Sequence, residues 1–551
     1  MALGTFDRAR SLQELGERTF HVLVVGGGVT GCGIALDAAS RGLRTALVER
    51  DDFASGTSSK SSKMVHGGLR YLQNGDVRLV YEALRERQRL RRNAPHLVGL
   101  LPFLIPIFSK DGLINAKVAR ALGSAMWMYD LTGGARIGKL HRRLSKADAV
   151  AHMPTLPEER LAGAYLYYDA GADDARLTLA LARTAALDHG AVVANHAPVV
   201  GLRHDDRGRC CGAVVEADGR RIEVDARVVV NAAGVWSDGI RALDEGHAPD
   251  SIRPAKGIHI TVPWDKVRND IAVVVPVPKD KRSVFVVPWL PKGDGTFELT
   301  YIGTTDTDYD GPLDDPQCTP EDIAYLLRAI NGSVRTPLST ADVVGTWAGL
   351  RPLVKAAASG RTADLSRQHK VLVSDSGVVS VTGGKLTTYR EMAEDTLEVV
   401  VERIGSLPRS ARRCRTRSLK LRGAEGAELD AADHLSRRYG SEARVVAALV
   451  EADRALGDPL VPGLPYLRAE AVYAARHEMA RSVDDVLARR TRARLQARDA
   501  SAAVADDVAA LLAPELGWTP AEAAAQAATY VALVEAERRA GDLPVTAPRP
   551  S

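Results

Sequence analysis

Gly26, Gly28 and Gly31, followed by Glu49, are the residues whose types and spacing point most directly to chemistry. They stand in and after VLVVGGGVTG, Val22–Gly31. The four apolar residues read as a buried strand, and the glycines fit a G-x-G-x-x-G turn that opens a helix. The first glycine permits a tight turn, the second lets a pyrophosphate approach the backbone, and the third lets the helix pack on the strand. Free N–H groups at the helix start carry partial positive charge toward that phosphate. Val29–Arg41 has small and apolar residues at helical spacing, and Arg44–Val48, RTALV, reads as a second strand. Glu49 ends it roughly 20 residues past the glycines, where an acid accepts hydrogen bonds from a ribose. These pieces in register imply a dinucleotide site. The alternative is a doubly wound domain with no ligand.

Three further segments have the composition of ligand-wrapping turns. Asp52–Gly68, DFASGTSSKSSKMVHGG, is dense in hydroxyls and glycine. Thr57, Ser58, Ser59, Ser61, Ser62, His66 and Gly67 are its candidate cofactor contacts. Val228–Gly234, VVVNAAG, is a strand running into a small-residue turn that offers Ala233 and Gly234. Val378–Tyr389, VVSVTGGKLTTY, runs into a Gly-Gly turn and a helix start, offering Gly384, Lys385, Leu386 and Thr387. Small residues at such turns permit close backbone approach. Each could equally be an ordinary strand-to-helix corner.

These motifs need a large scaffold. The 551 residues allow two to four domains. At 45% hydrophobic and 26% charged, the composition is globular. A net charge of +4 is small for this length and does not suggest a nucleic-acid partner. The five cysteines are scattered with no C-x-x-C, so neither a metal site nor a disulfide framework is supported. A reducing cytoplasm is the expected compartment. MALGTFDRARSLQELGERTF lacks the apolar stretch of a signal peptide, and no uninterrupted apolar run approaches a membrane span. A place on the inner surface of the cell membrane stays open.

Residues 1–20 read as a polar extension. Residues 21–405 mix strand and helix signals, with two domains interleaved in sequence. Residues 406–541 read as helical and alanine-rich, as in Ala469–Ala497 and Ser501–Arg539. Residues 542–551 contain three prolines and are expected to be disordered. Arg412, Arg413, Arg415, Arg417, Lys420 and Arg422 read as a solvated basic linker. Their alternative is attraction to anionic headgroups, worth about 1 kcal/mol per residue. Arg85, Arg87, Arg89, Arg91 and Arg92 read as a solvated helix face.

Taken in order, GGGVTGCGIALDAASRG, TSSKSSKMVHGGLRYL, APHLV, DDARLTLA, KGIHITVP, IGTTDTDYDG, GLRPL and GGKLTTYREMAE resemble the FAD-dependent glycerol-3-phosphate dehydrogenases. That family lies within the wider D-amino-acid oxidase-like flavoproteins. The resemblance spans Phe20 to Tyr530, and SSKMVHGGLRYL is its most specific string. YLRAEAVYAARHEMARSVDDVLARRT matches the family's C-terminal helical domain. The departures are the N-terminal extension and the loops of Ser109–Leu140. The fold implied is α/β: a Rossmann-like FAD-binding domain, an interwoven β-rich substrate domain and a C-terminal helical domain.

The resemblance implies oxidation of sn-glycerol 3-phosphate to dihydroxyacetone phosphate, with FAD as cofactor and a quinone as electron acceptor. It brings His259 to the substrate hydroxyl, where the ordinary alternative is a satisfied strand histidine. It brings Lys385 near flavin and substrate, the alternative being an exposed lysine at a helix start. Arg367, in SRQHKVLV, matches a family arginine near the substrate. Arg70 and Arg351 match phosphate ligands, a role that suits the planar, always-charged guanidinium fork. Tyr71 either donates a hydrogen bond to substrate or packs. Two other functions remain open: an oxidase that uses oxygen on the same scaffold, and a non-catalytic FAD-binding redox protein. A homodimer also remains open.

Overall fold

The computed structural model describes residues 5–69, 77–109, 116–278, 280, 282–355, 369–427 and 433–546. Two sheets organise them. The first has Thr19–Val25 at its centre, paired in parallel with Thr45–Val48 on one side and Arg220–Asn231 on the other. Val22, Leu23 and Val24 are fully buried, as a strand covered on both faces requires. The register aligns Val25 with Val48 and with Asn231, and Asn231 with Ser380 of Val379–Thr382. The turns that follow these four strands therefore emerge at one edge. Ligands of such open sheets bind there, outside the carboxyl ends.

Val29–Ser40, Asp174–Leu187 and Tyr389–Ile404 cover one face of this sheet around a shared apolar core. Arg8–Glu17 covers part of the other through Leu12 and Leu15, so the expected polar extension is an amphipathic helix.

The second sheet runs 307–308, 252–263, 297–303, 283–291, 272–276, 98–108, 161–172, 64–65, with Gly345–Val354 paired to Ile252–Pro263. Side chains alternate along each strand. Ile258, Ile260 and Val262 pack in one core with Pro320–Asn331, while Tyr301 and Trp347 belong to the core of the other face.

The C-terminal helices Arg468–Glu478, Ala505–Leu516 and Pro520–Ala540 enclose a third core. Within the helical, alanine-rich stretch Ala469–Ala497 the helix is interrupted. Met479 takes a left-handed backbone (φ 53°), and Asp485–Thr491 forms a wide turn. Tertiary charge pairs claim this stretch: Arg490 lies 2.6 Å from Asp52, and Arg492 pairs with Asp173 and Asp174. Order also reaches past Gly541. Leu543 is buried, and Thr546 donates its N–H to Asp499 at 2.8 Å.

The first basic run differs from the solvated face expected of it, whereas Arg412, Arg413, Arg415, Arg417 and Lys420 of the second are exposed. Arg87 is fully buried and lies 2.6 Å from Asp169. Arg417 lies 2.6 Å from Glu394, and Arg422 lies 2.7 Å from Asp188 and 3.0 Å from Glu442. Part of the second run thus fastens the linker to the first domain. Among the described residues no helix is long and apolar enough to cross a membrane.

Candidate functional site

A cleft of about 400 Å³ opens at the carboxyl edge of the first sheet. Gly26, Gly28, Glu49, Thr57, Ser58, Ala233, Gly234, Gly384, Lys385 and Leu386 all line it, so the four segments singled out in the sequence converge. Gly26 has φ 114°, and a Cβ there would stand 2.6 Å from the Ala232 carbonyl oxygen. Gly31 packs the helix onto the turn, where a Cβ would collide with the Gly26 carbonyl. Gly28 caps the helix, and the next amide, Val29 N–H, donates to Ser58 Oγ at 2.9 Å. A Cβ at Gly28 would lie 3.2 Å from that hydroxyl and narrow the cleft. This glycine cradle has the form a dinucleotide needs. Glu49 accepts N–H bonds from Gly27 at 2.5 Å and Asp51 at 2.9 Å. Burial raises its pKa, and these two bonds oppose the rise. Its carboxylate therefore braces the glycine turn.

Deeper in the molecule, the hydroxyl-rich loop is tied to other elements. Thr57 Oγ1 donates to the Leu350 carbonyl at 2.5 Å, next to Arg351. The His66 amide donates to Thr387 Oγ1 at 3.1 Å, joining two of the expected cofactor segments. Ser59 lines a neighbouring cavity of about 820 Å³. Ser61 Oγ donates to Asp174 at 2.6 Å, and Ser62 Oγ lies 2.8 Å from His259 Nε2. The Gly67 amide donates to Asp169 at 3.2 Å, and Tyr129 donates its hydroxyl to the same carboxylate at 2.7 Å.

The second sheet reaches the cleft through Pro352, and it carries His259 on the face shared with Tyr301 and Trp347. His259 stands opposite Trp347 on one side and Gly303 on the other, and Ala255 stands opposite Arg351. Glycines make room there. A Cβ at Gly303 would collide with the His259 ring, and one at Gly257 would lie 2.5 Å from Arg351 Nη2. The His259 imidazole is only 2% exposed. Burial, then the nearby Lys63 and Arg351 cations, hold its pKa well below the usual 6.5. Trp347 Nε1 donates to the Ser61 carbonyl and Tyr301 Oη to the Ser62 carbonyl, each at 3.1 Å, which fixes the serine that meets His259.

Arg351, expected as a phosphate ligand, has a protein partner as well. Its Nη1 lies 3.1 Å from Asp306, and its Nη2 donates to the Thr305 carbonyl at 3.2 Å. Lys385 is half-buried at the cleft. Arg70, Tyr71 and Arg367 lie outside the described residues. The sequence reading missed Trp347, although the spacing of two in WAGLR sets Trp347, Gly349 and Arg351 on one strand face. It also gave no role to Asp169, Asp174 and Asp306, although DDARLTLA and IGTTDTDYDG contain the last two. The close group Asp52, His196 and Asp485 has the residue types of a metal site. Arg489 and Arg490 already pair with these carboxylates, at 2.6–2.7 Å.

Residues 21–390 match the FAD dependent oxidoreductase family, and residues 414–523 match the C-terminal domain of alpha-glycerophosphate oxidase. The chain is 42% identical to glycerol-3-phosphate dehydrogenase 2 of Mycobacterium tuberculosis, over 97% of this chain and 92% of that protein. It is 38% identical to the mitochondrial glycerol-3-phosphate dehydrogenase of Mus musculus, over 91% of this chain and 71% of that one. The solved structure of glycerol-3-phosphate dehydrogenase from Bacillus halodurans complexed with FAD is similar at a TM-score of 0.74 and 30% identity, covering 97% of each chain. L-alpha-glycerophosphate oxidase from Mycoplasma pneumoniae shares the fold over 70% of this chain, with a TM-score of 0.54. Similarity thus extends through both matched regions to full-length relatives, and the chain belongs to the FAD-dependent glycerol-3-phosphate dehydrogenase family.

Proposed function

We propose that this chain oxidises sn-glycerol 3-phosphate to dihydroxyacetone phosphate and passes the electrons to a quinone. FAD, when bound, supplies the hydride acceptor. The observation that carries the reading is His259, a buried imidazole kept neutral on the same sheet face as Arg351. In the tautomer whose Nε2–H donates to Ser62 Oγ, the Nδ1 lone pair is left to take the hydroxyl proton. Among the described residues Nδ1 has no hydrogen-bond partner. Arg351 meets the phosphate with its guanidinium, steadied from behind by Asp306. Lys385 stabilises negative charge that develops on the substrate oxygen. Arg70, Tyr71 and Arg367 complete the substrate contacts in this reading.

Anaerobic addition of glycerol 3-phosphate to the FAD-loaded protein tests the reading. Loss of the oxidised-flavin absorbance is expected. An unchanged spectrum overturns it in favour of a non-catalytic flavoprotein. The match of residues 414–523 to an oxidase domain is the one observation that favours oxygen as acceptor. Stoichiometric hydrogen peroxide in air would establish that reading.

For reaching a quinone, we propose contact with an anionic membrane surface through Trp127, Met128 and Leu131. These side chains are 55%, 44% and 82% exposed, large values for apolar groups. Tyr81 is exposed as well, and Arg136 donates to its hydroxyl at 3.0 Å. Arg78 and Lys139 are also exposed cations.

A further inference from the structure

Between the second sheet and the C-terminal helices lies a cavity of about 320 Å³ that shares no lining residue with the cofactor cleft. Lys63, Arg176, Arg437, Arg438 and Arg492 line it, against a single carboxylate, Asp173. The nearby acids are shared. Asp173 lies 3.2 Å from both Arg438 and Arg492, and Asp174 lies 3.2 Å from Lys63 and also pairs with Arg492. Arg176 is taken by Glu478 at 2.7 Å, so Lys63, Arg438 and Arg492 are the three cations that divide the two aspartates. Arg438 also lies 3.5 Å from Glu470, whose carboxylate meets His434 at 2.9 Å and the Tyr439 hydroxyl at 2.8 Å. Positive charge held away from water is costly unless an anion offsets it.

The rest of the lining is apolar, with Leu101, Trp289, Leu290 and Tyr466. Leu290 takes a left-handed backbone (φ 59°), which non-glycine residues adopt at a cost that recurs at ligand sites.

The geometry points to a second ligand site. This cavity takes an amphipathic anion, a phosphate, sulfonate or carboxylate on a compact apolar body, and its occupation is felt at His259. The coupling half rests on the reading of His259 as the base. Two lining residues reach that base through one neighbour each. Lys63 Nζ lies 4.7 Å from the centre of the Trp347 ring on which His259 stacks. Tyr301 donates its hydroxyl to the carbonyl of Ser62, whose Oγ meets His259.

The charged groups acting on His259 are Lys63 and Arg351. Ser62, Tyr301 and Trp347 are its neutral neighbours. Lys63 itself is pushed down to about 8 by burial and by Arg492. An anion beside Lys63 offsets the positive potential at His259. The imidazole then takes a proton at higher pH, and the acid limb of turnover moves up.

Calorimetry on the FAD-loaded enzyme, with dihydroxyacetone phosphate saturating the substrate site, tests the binding half. Hexyl phosphate should bind saturably, and hexanol and inorganic phosphate about tenfold more weakly or not at all. Arg437→Glu and Leu290→Asn should each weaken hexyl phosphate about tenfold, with turnover in its absence within about twofold of the parent. Asparagine tolerates the left-handed backbone at position 290. Absence of saturable heat overturns the site, as does equal binding by both variants. If a variant loses flavin, the comparison of hexyl phosphate with hexanol in the parent still decides.

Phosphatidylglycerol vesicles that compete with hexyl phosphate would identify a lipid headgroup as the occupant, and vesicles without effect a soluble anion. Bound hexyl phosphate should raise the acid limb of turnover, and an unmoved limb overturns the coupling. Flavin bleaching by glycerol 3-phosphate without the probe reports on the catalytic reading separately.

Discussion

His259 lies ring on ring against Trp347, with 4.6 Å between centroids and 8° between planes. Stacking and burial deny the imidazole water, so its charged form is disfavoured before any neighbouring charge acts. The arrangement makes a rigid, neutral imidazole rather than a solvated one.

Its pH behaviour follows. The pKa of His259 lies well below 6.5, so turnover should keep the base deprotonated through neutrality and lose it only in clearly acidic solution. In stability the sign is fixed by linkage. Below 6.5 the unfolded chain takes the proton and the folded chain does not, so His259 costs stability as pH falls. Lys63→Met removes one of the two cations and should raise the acid limb of flavin reduction, and Lys63→Arg should restore it. An acid limb unchanged in Lys63→Met would show that Lys63 does not tune the base.

The cofactor cradle predicts a colourless variant. Gly28→Val sets a branched side chain where a bare Cβ already stands 3.2 Å from Ser58 Oγ. The protein should fold by circular dichroism and purify without flavin. Full flavin content would remove this turn from the cofactor site.

Arg351 should carry substrate affinity. Charge-assisted bonds are worth roughly 1.5–3 kcal/mol, so Arg351→Ala should lower kcat/KM by about 10- to 150-fold. Arg351→Lys should recover part of this, because the ammonium lacks the fork. FAD content should be unchanged in both. Asp306→Asn should raise KM by less than the loss of Arg351, since it loosens the arginine without removing it. Normal kinetics in a folded Arg351→Ala protein would take Arg351 out of the site.

Asp169 should be a stability residue. It pairs with the fully buried Arg87 at 2.6 Å and accepts from Tyr129 and the Gly67 amide. Asp169→Ala strands a buried guanidinium and should cost about 3–5 kcal/mol in denaturant unfolding. A loss of less than about 1 kcal/mol would mean that water reaches Arg87.

Membrane contact should need both chemistries of its patch. Trp127→Ser combined with Leu131→Ser should reduce co-sedimentation with phosphatidylglycerol vesicles. High salt should weaken the electrostatic part for the parent. Equal sedimentation of parent and double variant would move the contact elsewhere.

The sequence by itself determined the elements whose causes are local. Gly26, Gly28, Gly31 and Glu49 could be read because strand, turn, helix and strand follow one another within one stretch of chain, each with its own period. The resemblance extended that reading to FAD and the substrate through short motifs. Partners distant in the chain were beyond it. Ser62 meets His259 across 197 positions, and Arg490 meets Asp52 across 438. Arg87 looked solvated, because a pattern of polarity records that a residue is charged and not which carboxylate will face it. Buried ion pairs likewise interrupt the helix within Ala469–Ala497 against alanine's local preference. Helix and strand periods arise from neighbouring residues. Burial and pairing of charge arise from surfaces that only the folded chain brings together.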